Sequence, residues 1–567
     1  MKNRTKIGGV TAVVTALALT ACGAGGKAAG PETATGQAAG GDLAKLVSIN
    51  AKDAKDLEPG GTVTLALGSI GPNFNGSSSN GNSADNSALH APMDQSGCWT
   101  YDFDGTASAD KNFCEDVKSE IKDGKQTITI KVNEKAIYND GTPIDVRTFE
   151  NTWNMLKGEN KDIDIVSSGA YEFVDSVRAG ANDKEVLITT TQPVYPLDSL
   201  FAGFIHPKVN NPEIFNNGFV GELHPEWMAG PFKLDKYDRA AKTVTMVQND
   251  KWWGNKPVLD KVVFRQLESS AAIAAFKNGE IDAVSANSVT PYKQLEGTSN
   301  SEVRRGQRLF AGGLNLNAQK APLTDVAIRK AIFTAADREA LRKVRFNGLN
   351  WEETSPGSMM LLPFSKYYQD NYPVQETGAD AAKKVLADAG YTANAAGVME
   401  KDGVPAAFTI SNFGDDPTGL AFTVTLQKQL QAAGMDVGID QRASADFGKV
   451  MGSRDFFLSL SGYTVGPDAT AAVKQFYDSN TNENQLGDAE LDAEIKKLSA
   501  IADDAERNKA AMEVEKKYLA KYFSLGAVMS GPQISFVRTG LANYGPSLFK
   551  SLFQVPDWTT IGWEKKQ

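Results

Sequence analysis

Val262-Val263-Phe264-Arg265-Gln266-Leu267-Glu268-Ser269-Ser270-Ala271-Ala272-Ile273-Ala274-Ala275-Phe276-Lys277-Asn278-Gly279-Glu280-Ile281-Asp282-Ala283-Val284 reads as strand, helix, strand. Val262 to Phe264 is β-branched and aromatic, as strands prefer. Ser269 and Ser270 offer an N-cap, Ala271 to Lys277 is a good helix former, and Asn278-Gly279 supplies the left-handed stop before Ile281 to Val284 turn strand-like again. This is the pattern of a βαβ unit.

The same logic recurs further on. Phe422, Leu426, Leu430 and Ala433 fall at helical spacing, Gly434 stops the helix, and Val437 and Ile439 alternate as a strand. Ile328, Ala331, Ile332 and Ala335 mark a helix opened near Thr324 or Asp325, and Ala382, Val385, Leu386 and Ala389 mark one ending at Gly390. A helical region from Leu491 breaks near Asp503 and Asp504 and runs on to Tyr522. Between Thr62 and Leu200 the pattern is more β-like, with alternation at Thr127 to Val132. The fold class is α/β with an additional β-rich portion, and 567 residues call for more than one lobe.

Composition narrows the partners. With 59 basic against 69 acidic residues and a net charge of −10, nucleic acid is excluded as the expected partner. After the N-terminus no apolar run approaches the ~20 residues needed to cross a bilayer. Lys2, Arg4 and Lys6 precede a weakly apolar run from Gly8 to Leu19, which has the length of a signal-peptide core. It ends in Leu19-Thr20-Ala21-Cys22-Gly23, similar to a bacterial lipobox, so residues 1–21 are expected to be a signal peptide and Cys22 the lipid attachment site. From Gly23 to about Pro59 the chain is rich in Gly, Ala, Thr and Lys and reads as a flexible tether, making 22–59 the lipidated N-terminal segment. Gly23 to Lys27 is no phosphate loop, because Ala28 stands where Ser or Thr is required. Of three cysteines, Cys98 and Cys114 remain; in an exported protein the pair is expected as a disulfide, with two free thiols the alternative.

Catalytic chemistry finds no constellation. His90, His206 and His224 are scattered, and neither H-E-x-x-H nor G-x-S-x-G is present. Asp102-Phe103-Asp104-Gly105 starts like a calcium loop, but the later ligand positions do not fit, so it reads as a turn. No catalytic residue, metal site or cofactor is expected.

Several blocks then resemble one family, the extracellular solute-binding proteins of oligopeptide, dipeptide and nickel importers. Ala136-Ile-Tyr-Asn-Asp-Gly-Thr-Pro-Ile-Asp-Val-Arg-Thr-Phe149 is similar to that family's F-x-D-G-x-P-x-x-A-x-D-V segment. Gly230-Pro-Phe-Lys-Leu234, then Asn249-Asp-Lys-Trp-Trp-Gly-Asn-Lys-Pro257 against N-x-x-Y-W-G-x-K-P, then Asn278 to Asp282, and finally Asp325 to Ala331 with Asp337-Arg338 follow in the family's order. The resemblance implies a two-lobed periplasmic-binding-protein (Venus-flytrap) fold with a β-rich domain on the first lobe. Lobe I would take 60–88, 195–307 and 533–567, the extra domain 89–194 and lobe II 308–532, with hinge strands near Leu309 to Asn317 and Ser530 to Ile534.

The resemblance also implies the function: capture of an oligopeptide-like small solute between the lobes and its delivery to a membrane permease and ATPase of an ABC importer. A monomer, lipid-anchored on the outer face of the cytoplasmic membrane, is expected. In peptide-binding members an Asp in a G-W-x-x-D segment pairs with the peptide's α-amino group. The matching stretch, Ser461-Gly-Tyr-Thr-Val-Gly-Pro-Asp468, has Gly466 at that Asp position. Either Asp468 takes over from a shifted loop, or the ligand lacks a free amine there. Tyr463, Asn73, Asn75 and Trp99 complete the expected ligand contacts, Trp99 because it adjoins Cys98. Alternatives are a non-peptide solute or metal chelate in the same cleft, or a signalling receptor.

Overall fold

The computed structural model describes residues 34–35 and 43–565; the leader and Cys22 lie outside them. Three sheets organise these residues. The first is seven-stranded, in the order Phe232–Asp238, Thr243–Gln248, Lys261–Gln266, Thr62–Leu67, Ala283–Ser285, Pro532–Arg538, Ser301–Gln307. Thr62–Leu67 lies between the two strands of the βαβ unit and runs parallel to both, with Val263 opposite Thr64 and Ala283 opposite Leu65. The helix between them, Ser269–Asn278, starts one residue earlier than its serines suggest. Glu268 occupies the N-cap without a side-chain bond, so Ser269 is the first helical residue and not the cap. Gly279, at φ +80°, closes it, a conformation L side chains resist.

The second sheet is five-stranded: Asp436–Arg442, Ala407–Phe413, Leu458–Thr464, Phe310–Leu316, Leu525–Met529. One apolar cluster packs Leu314, Ile410, Val437 and Leu458 with Leu426, Leu430, Ile332 and Leu386 of three helices. Another gathers Ala311, Val465 and Ala527 with Val473, Ile495 and Met512 of the helices Thr470–Tyr477, Ala489–Leu498 and Asp504–Tyr522. Deep within the second lobe the Glu515 carboxylate accepts from Met359 N (3.0 Å), Tyr477 Oη (2.7 Å) and Asn371 Nδ2 (2.9 Å).

The two sheets are joined twice, through Arg308-Leu309 and through Ser530-Gly531. The crossings are tied to each other: Arg308 N donates to Gly531 O (3.1 Å), and Gln307 Nε2 to the same oxygen (3.2 Å). Glu353 accepts both Ser530 N (2.7 Å) and Gly531 N (2.8 Å), together with Trp351 Nε1 (2.9 Å). Burial raises its carboxyl pKa, and these three donors oppose the shift.

The third sheet is antiparallel, Cys114–Lys122, Lys125–Val132, Glu185–Thr190, Val174–Ala179, backed by the helix Val146–Leu156. A disulfide between Cys98 and Cys114 is fully buried in its core. With a sequence separation of 16, the bridge contributes about 3 kcal/mol in the chain-entropy picture. This core does not stop at residue 194, where the extra domain was expected to end. Phe201 packs on Phe149 with ring centroids 4.8 Å apart and its N–H donates to Tyr171 Oη (2.8 Å); Ala229, Trp252 and Trp253 join the same cluster. Apolar side chains of the loops beyond residue 194 complete the core.

A second correction concerns the tether. Residues 43–59 are docked, not free. Leu46 and Leu57 are 2% and 1% exposed, and Leu57–Glu58 pairs with the strand Gly562–Glu564. Large apolar residues in an otherwise small-residue segment give it something to bury.

Candidate ligand cleft

The lobes meet. Tyr195 N donates to Ser499 O (2.9 Å), Gln192 Nε2 to Ser499 Oγ (3.4 Å), and Lys474 pairs with Glu172 (3.0 Å), each joining the first-lobe side to the second lobe. Gly105, at φ +88°, lies so close to Pro467 and Phe549 that a Cβ there would overlap both. Between these contacts lies a cavity of about 710 Å3, inside the roughly 300–1,000 Å3 range of small-molecule sites.

One wall belongs to the first-lobe side: Trp99, the turn Asp104 to Ala109, Lys111, Asp116 and Tyr195 to Asp198. Trp99 is fixed by Nε1 donating to Leu200 O (2.7 Å). Tyr101 Oη donates to Asp198 Oδ2 (2.9 Å); burial and that carboxylate raise the phenol's pKa, and burial raises that of Asp198 in turn. Trp99 also walls a second chamber of about 370 Å3, whose charged lining is Asp94, Asp110, Lys550 and Asp557 beside Trp252 and Trp558. Burial raises the Asp94 and Asp110 carboxyls.

The opposite wall is the second lobe: Phe364 to Tyr367, Pro467, Asp468, Asp504, Arg507 and Asn508. Asp468 is engaged on both oxygens. Thr470 N donates to Oδ1 (2.8 Å), while Arg507 Nη2 (2.9 Å) and Asn508 Nδ2 (2.8 Å) donate to Oδ2. Arg507 is 1% exposed in its side chain and also pairs with Asp504 (2.6 Å). Burial works against its charge, but the two carboxylates prevail and its pKa is raised. The wall therefore presents two carboxylates on one buried guanidinium, whose Nε has no hydrogen-bond partner.

Of the expected contacts, Trp99 and Asp468 meet at this cavity from opposite lobes. Tyr463 stands back from it: its ring packs on Phe476 (4.7 Å) and its hydroxyl donates to Glu483 Oε1 (3.1 Å) and accepts from Asn315 Nδ2 (3.3 Å). Asn73 and Asn75 do not face the cleft. Asn75 Nδ2 donates to Phe215 O (2.7 Å) and its Oδ1 accepts from Ser77 N (3.0 Å); Asn73 Oδ1 accepts from Asn75 N (2.9 Å). Both are buried turn residues whose amides tie the loop to its own lobe. The residues that sequence reasoning missed are Arg507, Asn508 and Asp198. Arg507 lies 39 residues from Asp468 on an amphipathic helix, where an arginine reads as solvent-facing.

The histidines serve the scaffold. Burial lowers the His90 pKa to about 4. His206 and His224 stack on Trp227, at 5.8 and 3.9 Å between ring centroids. Among the described residues no group of three or more His, Cys, Asp or Glu is placed to hold a metal ion, and no helix is long and apolar enough to cross a membrane.

Residues 113–484 match the family model described as bacterial extracellular solute-binding proteins, family 5. The chain belongs to that family. The binding protein is 28% identical over 568 residues to the oligopeptide-binding protein OppA of Mycobacterium tuberculosis, covering 98% of this chain and 93% of that one. In structure it is similar to the periplasmic EDTA-binding protein EppA, with a TM-score of 0.82 at 22% identity over 93% of this chain and all of that one. It is also similar to the oligopeptide-binding protein AppA of Bacillus subtilis in complex with a nonapeptide, with a TM-score of 0.71 at 20% identity over 90% and 100%. The two-lobed periplasmic-binding-protein fold with its extra β-rich unit is thus the architecture of this chain. Members of the family are extracytoplasmic binding proteins and not enzymes.

Proposed function

We propose that the binding protein captures short peptides in the cavity between its lobes and hands them to the permease and ATPase of an ABC importer. The observation that carries this reading is a cavity whose two walls belong to different lobes, with fixed polar groups and an aromatic face on opposite sides. The exposed Asp504 and Asp104 suit an amine, and Trp99 offers a flat apolar surface for a side chain. Peptide-binding names among the relatives point the same way. Closure removes water from both faces of the ligand, so bound peptide favours the closed lobes.

Native mass spectrometry of the full chain in mild detergent, offered a pool of di- to hexapeptides, tests this. A retained peptide mass supports the reading; a protein that ignores every peptide but retains a metal–EDTA complex overturns it in favour of a chelate binder. Anchoring completes the proposal: Cys22 is acylated, and the protein works as a monomer tethered at the outer face of the cytoplasmic membrane. Cys22→Ser would then release it into the soluble fraction.

A further inference from the structure

The two strand crossings at Arg308-Leu309 and Ser530-Gly531 are not the whole connection between the lobes. The segment 43–50 runs beside the first crossing and touches both sides. Toward the first lobe it is held by backbone: Ser48 N donates to Pro546 O (3.0 Å), Tyr544 N to Ile49 O (3.1 Å) and Asn543 N to Asn50 O (3.1 Å). Buried Arg304 donates to Ile49 O as well (3.2 Å). At the hinge, Gln307 N donates to Leu46 O (3.0 Å), and Gly306 lies so close under that carbonyl that a Cβ there would overlap it. Toward the second lobe the contacts are apolar. Leu46, 2% exposed, belongs to the cluster of Leu309, Met360, Val473 and Met512, with Leu43 and Val47 packed at its edge. Leu43 also lines the 710 Å3 cavity.

We propose that residues 43–50 form a latch, a third tie between the lobes that seats only when they are closed and that contributes Leu43 to the ligand cavity. A segment bonded to one lobe and buried in the other loses its apolar contacts when the lobes part, so its burial stabilises closure. Upstream of the latch, Ala34–Thr35 pairs in parallel with Trp351–Glu352 of the second lobe. The inference rests on the reading that the lobes open and close, and it does not depend on what the ligand is.

Hydrogen exchange of the full chain, without ligand, provides the test. The Tyr195 amide reports closure because it donates across the lobes to Ser499 O, a bond in which no residue of the latch takes part. Leu46→Ser removes the apolar anchor, and Gly306→Val displaces the segment without changing its own sequence. Both are expected to speed exchange at Tyr195 roughly tenfold while leaving the ladder Lys125–Val132 protected. Faster exchange at Gln307 with Tyr195 unchanged would overturn the latch, since the segment would then be first-lobe packing alone. Should either variant lose protection in that ladder, Leu43→Ala decides: it truncates only a partly buried side chain at the edge of the cluster, and a Tyr195 rate equal to wild type in that variant refutes the proposal. A failed peptide assay would leave these exchange rates as informative as before.

Discussion

Two carboxylates of the second lobe have nearly the same set of partners and opposite settings. Glu515 is fully buried and surrounded by Met359 N, Tyr477 Oη and Asn371 Nδ2. Asp468 also accepts three donors, Thr470 N, Arg507 and Asn508, but it opens on the ligand cavity with 18% of its side chain exposed. The first sits among neutral donors, so burial dominates and its pKa is raised. The second is paired with a cation, Arg507, which it shares with Asp504 at the cavity wall. The difference separates a group that holds the lobe together from one that shapes what the lobe can bind.

The largest effect should come from Glu515. Glu515→Ala leaves three buried donors unmatched and is expected to cost about 4 kcal/mol in urea denaturation. Any loss of ligand affinity should be no more than follows from unfolding. Arg507→Met inverts that balance. Stability should fall by about 2 kcal/mol, while peptide affinity measured by calorimetry should change at least tenfold, because an unpaired carboxylate now faces the cavity. Equal effects on both properties in the two variants would erase the comparison.

The pH dependence sharpens it. The His90 imidazole has a pKa lowered to about 4 by burial, against roughly 6.5 in an unfolded chain. As pH falls below 6.5 the unfolded state takes up this proton first, so stability is full above 6.5 and declines toward pH 4, by about 3 kcal/mol. His90→Gln should flatten that limb in a denaturation series, which would show that it does not come from the second-lobe carboxylates. The smallest effect is expected at Tyr463. Tyr463→Phe loses the bond to Glu483 and about 1 kcal/mol of stability, with peptide affinity unchanged, since the ring lies behind the wall.

The α/β class and the family were legible because local signals agreed with the global fold: Val262 to Phe264, the alanine helix and Gly279 each favour the conformation they adopt. What was not legible depends on long-range placement. The Asp468–Arg507 pair joins a loop to a helix, and nothing in the helix pattern distinguishes an inward arginine from a solvated one. Asn73 and Asn75 have the composition of a polar binding loop, yet their amides are consumed by backbone groups near Phe215. The docked N-terminal segment was hidden by its glycine- and alanine-rich surroundings, where Leu43, Leu46, Val47, Ile49 and Leu57 are the large apolar residues.

The central claim is that solute is held between two lobes that close on it, and the Tyr195 amide measures it most directly. Hydrogen exchange would be followed with and without a peptide captured from the pool. The account predicts slower exchange at Tyr195 and at Asp468 to Thr470 together, since ligand stabilises both the bond to Ser499 and the wall it touches. Protection confined to one lobe, with Tyr195 exchanging at the unliganded rate, would contradict it.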